Sequence, residues 1–248
     1  MRTAAEIIRK LAEQWAADPA VDAIFLFGSH ATGTANPESD IDLCVLLREG
    51  ATFDFPGLCR IEGHLVETFT GSRAFFEKFF EHFHKDNSRI AQTQFATAKI
   101  LFDRNGQGAA VQSVAHQWLE KPRVTQTVEQ AYWPKRIIFS SFERLERLYQ
   151  MQSPAFRHAY HAFVQSVYSK YAAFLGEPVM DADRLLAYLT NEARRQQYLQ
   201  RPFSDATFAQ LLTCALSESE LAPMLSHARQ MQQHAIAAMG GQEIPDLS

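Results

Sequence analysis

Phe27-Gly28-Ser29-His30-Ala31-Thr32-Gly33-Thr34-Ala35-Asn36-Pro37-Glu38-Ser39-Asp40-Ile41-Asp42-Leu43 is the stretch that decides the fold. It has three parts. An apolar run from Val21 to Phe27 fits a buried strand and delivers Gly28-Ser29 at its end. Thr32 to Pro37 reads as a loop. A second strand, Asp40 to Leu47, starts polar and turns apolar. Side chains alternate along a strand, so Asp40 and Asp42 point to one side and Ile41 to the other.

Two carboxylates that close repel each other unless a cation lies between them. One or two Mg²⁺ ions suit an all-oxygen site completed by phosphate and water. Gly28 lets a backbone approach phosphate without a side chain in the way. Ser29 adds a hydroxyl donor. Should the residues after Ser29 turn helical, their N–H groups add an anion site. Phosphoryl transfer on two metals calls for a third carboxylate from elsewhere. Glu67 is the choice, because it stands between Val66 and Thr68 in an otherwise apolar strand, where an acid needs a reason. Glu62 is the rival, but it sits at a hairpin turn. Asp103 also follows a strand, and its turn explains it.

Outward from this stretch, Ile7, Ile8, Leu11 and Trp15 recur at helical spacing until Asp18-Pro19 stops the helix. Residues 57–69 form a hairpin turning at Glu62-Gly63-His64, and residues 73–84 form an aromatic helix. Ala98 to Phe102 is one more strand. Asp103-Arg104-Asn105-Gly106-Gln107-Gly108 is the boundary signal. Beyond it the pattern is helical throughout: Ile138, Phe142, Leu145 and Tyr149 share one face, and Phe156, Tyr160, Phe163, Val167, Tyr171 and Phe174 another. Ser204 is expected to cap one later helix, Ser217 with Glu220 to form the capping box of the next, and Gly240-Gly241 to end it. The fold class is α/β (α+β): a mixed-sheet domain over 1–108 followed by a helical bundle domain over 109–248.

The composition is that of a globular protein, with 46% hydrophobic and 21% charged residues. A formal charge of −4 argues against general nucleic-acid binding, which needs a basic face. Cys44, Cys59 and Cys214 lack metal-ligand spacing and read as reduced thiols. With no apolar leader and no spanning run, the expectation is a cytoplasmic protein without a membrane partner.

Gly28-Ser29, ten intervening residues and Asp40-Ile41-Asp42-Leu43 resemble the nucleotidyltransferase superfamily that includes DNA polymerase beta and kanamycin nucleotidyltransferase. The string Ser39-Asp40-Ile41-Asp42-Leu43 is similar to its small bacterial members, and Lys99-Ile100-Leu101-Phe102-Asp103 to the closing strand of their catalytic domain. The resemblance covers roughly residues 20–105. It implies transfer of a nucleoside monophosphate, AMP from ATP, to an acceptor hydroxyl with release of pyrophosphate. Asp40, Asp42 and Glu67 would be catalytic and metal-binding; Gly28, Ser29 and Ser39 would bind the nucleotide. The acceptor is a small molecule or a protein hydroxyl, and a homodimer is left open. Two departures stand out: His30 occupies a position where many members have Arg, and Glu67 one where many have Asp.

Two other readings belong to other classes. One is a nucleotide-binding module that has lost turnover, which His30 favours. The other is a toxin–antitoxin component that modifies a protein partner or cleaves RNA through Arg229 and His234. The pairs His82/His84 and His158/His161 read as surface or core residues rather than metal ligands. Lys135 and Arg136 read as a solvated face.

Overall fold

The computed structural model describes residues 2–241, which hold five strands and eleven helices. In chain order these are α1 (Ala4–Ala16), β1 (Val21–Leu26), α2 (Gly28–Thr32), β2 (Ile41–Leu47), β3 (Leu58–Ile61), β4 (His64–Ser72), α3 (Arg73–Lys85), α4 (Ile90–Ala96) and β5 (Lys99–Asp103). Helices follow to the end: α5 (Gln107–Glu120), α6 (Tyr132–Gln150), α7 (Phe156–Leu175), α8 (Ala182–Thr190), α9 (Glu192–Gln197), α10 (Ala206–Ser217) and α11 (Leu221–Ala238). The chain divides into two compact units. Unit 1 is Met1–Pro122 together with Gln197–Leu199; unit 2 is Arg123–Gln196 and the chain from Gln200 on.

Unit 1 is built on a five-stranded mixed sheet of order β3-β4-β2-β1-β5. β1 runs antiparallel to both β2 and β5, and β3 antiparallel to β4. β2 and β4 are parallel, although β3 lies between them in sequence. The sheet is covered on both faces, as its apolar runs require. Ile24, Leu26, Ile41, Leu43, Val45 and Val66 pack with Ile7, Ile8, Leu11 and Trp15 of α1. Ala23, Phe25, Cys44 and Leu46 point the other way, to Phe76 and Phe80 of α3, Phe95 of α4 and Val111 of α5.

Local chemistry sets the ends of these elements. Thr3 accepts from the Glu6 N–H while Glu6 returns a bond to Thr3 N at 2.7 Å, a capping box that starts α1. At the β3–β4 turn Glu62 and Gly63 both take positive φ, 50° and 94°. Asp103 accepts from the N–H groups of Gly108 and Ala109 at 2.8 and 3.0 Å, so the acid that ends β5 holds the start of α5.

Unit 2 is helical, and its core gathers the residues of the two predicted faces. Ile138, Phe142 and Leu145 of α6 meet Phe156, Tyr160, Phe163, Val167 and Tyr171 of α7, with Phe208 and Leu212 of α10 and Met224 and Met231 of α11. Two expected caps are corrected. Asp205, not Ser204, caps α10, its side chain accepting from Phe208 N at 2.9 Å. Ser217 closes α10 instead of opening α11, and its hydroxyl turns back to Thr213 O at 3.0 Å. Glu220 itself occupies the cap of α11, with no side-chain bond. A serine within the last turn of a helix satisfies its own hydroxyl on the carbonyl four residues back, and that removes it from capping duty. Gly240 follows α11 with φ 94°, the stop the sequence places there.

Among the described residues no helix is long and apolar enough to cross a membrane.

Candidate active site

The site begins at the C-terminal end of β1. Phe27 is buried and its N–H donates to the Asp42 carbonyl at 2.9 Å, which continues the β1–β2 ladder one step past the strand. The chain then turns at once into α2. Gly28 makes this turn with φ +63°, in the left-handed region. A Cβ built there would collide with Asp42 Oδ2. Glycine is favoured at this position by the backbone angle, and any side chain there would have to displace the Asp42 carboxylate.

Asp42 is the second residue of β2. It shares its sheet face with Cys44 and Leu46, and stands where that face is no longer sealed by helices: Asp42 is half-buried while Cys44 and Leu46 are fully buried. In the parallel β2–β4 register Asp42 lies opposite Glu67. Aligned residues of paired strands project to the same face, so the two carboxylates are side-by-side neighbours. Glu67 is also half-buried, and among the described residues no hydrogen bond or ion pair engages it. The next residues on its face are Phe69, 41% exposed, and Gly71, over which the Phe75 ring of α3 lies. Asp40 precedes β2 by one residue and is exposed.

The predicted residues thus fall into a close group and an outlying one. Gly28, Asp42 and Glu67 are brought together by turn and register. Ser29 is the second residue of α2, half-buried, with its carbonyl accepting from Thr34 N at 2.9 Å. Ser39 lies in the connecting loop, its hydroxyl accepting from Asn36 N at 2.9 Å. Among the described residues no three His, Cys, Asp or Glu side chains gather as a ready-made metal cage. The donor set does fit a hard cation: two neighbouring carboxylates in an open position leave the remaining coordination to phosphate and water, which is how Mg²⁺ is commonly held. The rival Glu62 is spoken for, since it pairs with Arg2 through the Arg2 N–H at 2.7 Å and through its guanidinium at 3.4 Å.

His30 sits on α2, one residue past Ser29. Burial pushes its pKa below the ordinary histidine value; the neighbouring charges of His64 and Lys99 add to this, while the Ser39 backbone and Asp40 act against it. Its Nε2 is buried without a hydrogen-bond partner. A neutral ring at this place differs from the permanent cation that arginine would supply. Lys99 of β5 brings its ammonium to the His30 carbonyl at 3.4 Å.

One residue of the site left no trace in the local pattern. The Tyr198 hydroxyl lies 3.2 Å from Thr32 Oγ1 and 3.1 Å from Thr34 Oγ1. Nothing in the spacing around Tyr198 points to residues more than 160 positions away, so only the fold reveals it.

The remaining candidates have structural partners. Lys135, expected on a solvated face, is 8% exposed and donates from Nζ to the Gly241 carbonyl at 2.7 Å. Arg136 is exposed and bonds the Tyr132 hydroxyl at 3.0 Å. Arg229 pairs with Glu146, and His234 shares Asp205 Oδ2 with Tyr171, each at 2.6 Å.

Residues 5–97 match the family described as Nucleotidyltransferase domain, a span that includes every predicted site residue. Eleven chains of known structure match. One of them is a nucleotidyltransferase-like protein from Exiguobacterium sibiricum 255-15, with 14% identity and a TM-score of 0.43, over 95% of this chain and 76% of that one. No curated protein matches.

Proposed function

We propose that this chain, whose residues 5–97 match the family described as Nucleotidyltransferase domain, transfers a nucleoside monophosphate, AMP from ATP, to an acceptor hydroxyl. The observation that carries the reading is the register of β2 on β4, with Asp42 opposite Glu67 and the side-chain-free Gly28 turn against Asp42. Asp40, Asp42 and Glu67 would hold one or two Mg²⁺ ions, which supply charge neutralisation at the triphosphate when bound. Gly28 presents no side chain, so a phosphate oxygen can approach its backbone. Ser29 donates its hydroxyl to the triphosphate, and Ser39 belongs to the same nucleotide-binding set.

In the reaction the acceptor oxygen forms a bond to the α-phosphorus as the bond to the bridging oxygen breaks, and pyrophosphate leaves with that oxygen. The acceptor proton passes to Glu67, the half-buried carboxylate without a protein partner. The acceptor is a small molecule or a protein side chain. The chain's negative charge favours a neutral or cationic acceptor over a nucleic acid.

Incubation with labelled ATP, Mg²⁺ and a panel of hydroxylated acceptors tests the proposal. Pyrophosphate release with a labelled product is expected. Binding of ATP without turnover on any acceptor would instead support a module that has lost its chemistry, the reading that His30 favours. The partners of Arg229 and His234 count against the ribonuclease reading, because both side chains already serve carboxylates within unit 2.

A further inference from the structure

α2 is five residues long, too short to hold its own conformation, since helix nucleation is unfavourable and few bonds repay it. Its first residue is the turn that faces Asp42 and its second is Ser29. One hydroxyl and one backbone N–H tie its far end back to this start. Thr32 Oγ1 lies 3.2 Å from the Gly28 carbonyl and 3.4 Å from the Ser29 carbonyl. Thr34 donates its N–H to the Ser29 carbonyl at 2.9 Å, across Gly33 at φ 78°. The same two threonines lie 2.9 Å apart through their hydroxyls, and both meet Tyr198 OH. Three hydroxyls at mutual distances of 2.9 to 3.2 Å carry three protons. Thr32 Oγ1 has one proton to share among the Gly28 carbonyl, the Ser29 carbonyl and Tyr198 OH, whereas the Thr34 N–H holds the Ser29 carbonyl in every proton arrangement, so the three hydroxyls form one coupled cluster against the start of α2.

We propose that Tyr198 is a positioning residue for the Gly28–Ser29 turn, acting through Thr32 and Thr34; its effect on ligand rests on the nucleotide-transfer reading of that turn. The path is short. Tyr198 meets the two threonines, and the threonines meet the carbonyls of the two residues that face the triphosphate in that reading. Tyr198 reaches the turn through the hydroxyls of Thr32 and Thr34, so its influence is on geometry rather than chemistry. A hydroxyl also suits this place better than an apolar side chain, because α2 lies in a part-buried zone where the threonine oxygens would otherwise lose a partner.

The test uses the full chain and four variants: Tyr198→Phe, Thr34→Val, Thr34→Ser and the double variant Tyr198→Phe/Thr34→Val. Two quantities are read, amide hydrogen exchange over residues 28–34 and the dissociation constant of Mg·ATP. Tyr198→Phe and Thr34→Val are each expected to speed exchange in that segment by about tenfold, and to weaken Mg·ATP by a similar factor with kcat at saturating ATP little changed. Thr34→Ser keeps the hydroxyl and should keep both values. The double variant should be little worse than either single one, because both substitutions break the same hydroxyl cluster. Unchanged exchange in Tyr198→Phe overturns the proposal, as does full additivity in the double variant. Faster exchange in a protein whose wild type binds no nucleoside triphosphate supports the positioning role and sinks the nucleotide reading, so the two failures are told apart.

Discussion

Carboxylates occupy two regions of this molecule in opposite ways. In unit 2, Glu177 is fully buried, with Oε1 meeting the Arg123 guanidinium and the Ser204 N–H. Asp205 answers Phe208 N, Tyr171 OH and His234 Nε2 with its two oxygens. These acids are joints between helices. At the open end of the sheet in unit 1, Glu67 stands opposite another carboxylate, Asp42, with no hydrogen bond or ion pair of its own among the described residues. A half-buried acid without a partner is costly to hold, and a second carboxylate beside it adds repulsion. The first arrangement stabilises a fold; the second spends stability on a site that a cation and a polyphosphate would complete.

That contrast is open to attack by substitution, and the largest effect is expected at Asp42. Asp42→Asn should lower Mg²⁺-dependent transfer by about 10³-fold or more, since the metal-facing charge is lost, with the folded state retained in a thermal melt. Retained transfer would break the comparison at its root. Glu67→Gln should lower turnover by roughly 10²-fold with the fold intact. An unchanged rate moves proton removal to solvent.

Asp205→Ala should behave in the reverse manner. Losing the α10 cap and the bonds from Tyr171 and His234 is expected to destabilise unit 2 by about 2–4 kcal/mol in denaturant melts, with transfer per folded molecule unchanged. A drop in transfer without loss of stability would make Asp205 part of a site.

A smaller and more specific effect lies in the pH dependence of the same residue. Burial alone raises the Asp205 pKa, but the bonds from Phe208 N–H, Tyr171 and His234, with the charge of His234, outweigh it and hold the pKa below the ordinary aspartate value. A depressed folded-state pKa stabilises above the unfolded value and loses that contribution as pH falls through the folded one. The stability gap between wild type and Asp205→Asn should thus be constant near neutrality and narrow below about pH 4. A gap that widens on acidification would reverse the sign and refute the assignment.

Much of unit 1 was legible one element at a time. The apolar runs at Val21–Leu26 and Ile41–Leu47 and the turn at Glu62-Gly63 are short-range patterns, and short-range forces set them. α4 escaped notice because it has seven residues, no capping side chain and a start at Arg89. Its place is fixed from outside, by packing of Phe95 against Phe25, Phe76 and Phe80 and by the bond from Gln92 to the Phe80 carbonyl at 2.6 Å. Lys135 was misread for a similar reason. Lysine is usually solvated, and here the bond to the distant Gly241 carbonyl makes its burial tolerable.

By itself the sequence determined which segments of unit 1 are strands and that Gly28-Ser29 ends the first of them. The tertiary structure alone decided that β4 lies parallel beside β2 with Glu67 at the level of Asp42, and that Tyr198 reaches Thr32 and Thr34. The reason is physical. Alternation and turn preference act over a few bonds and are written in neighbouring residues, whereas strand order and register follow from how both faces of the sheet are buried at once.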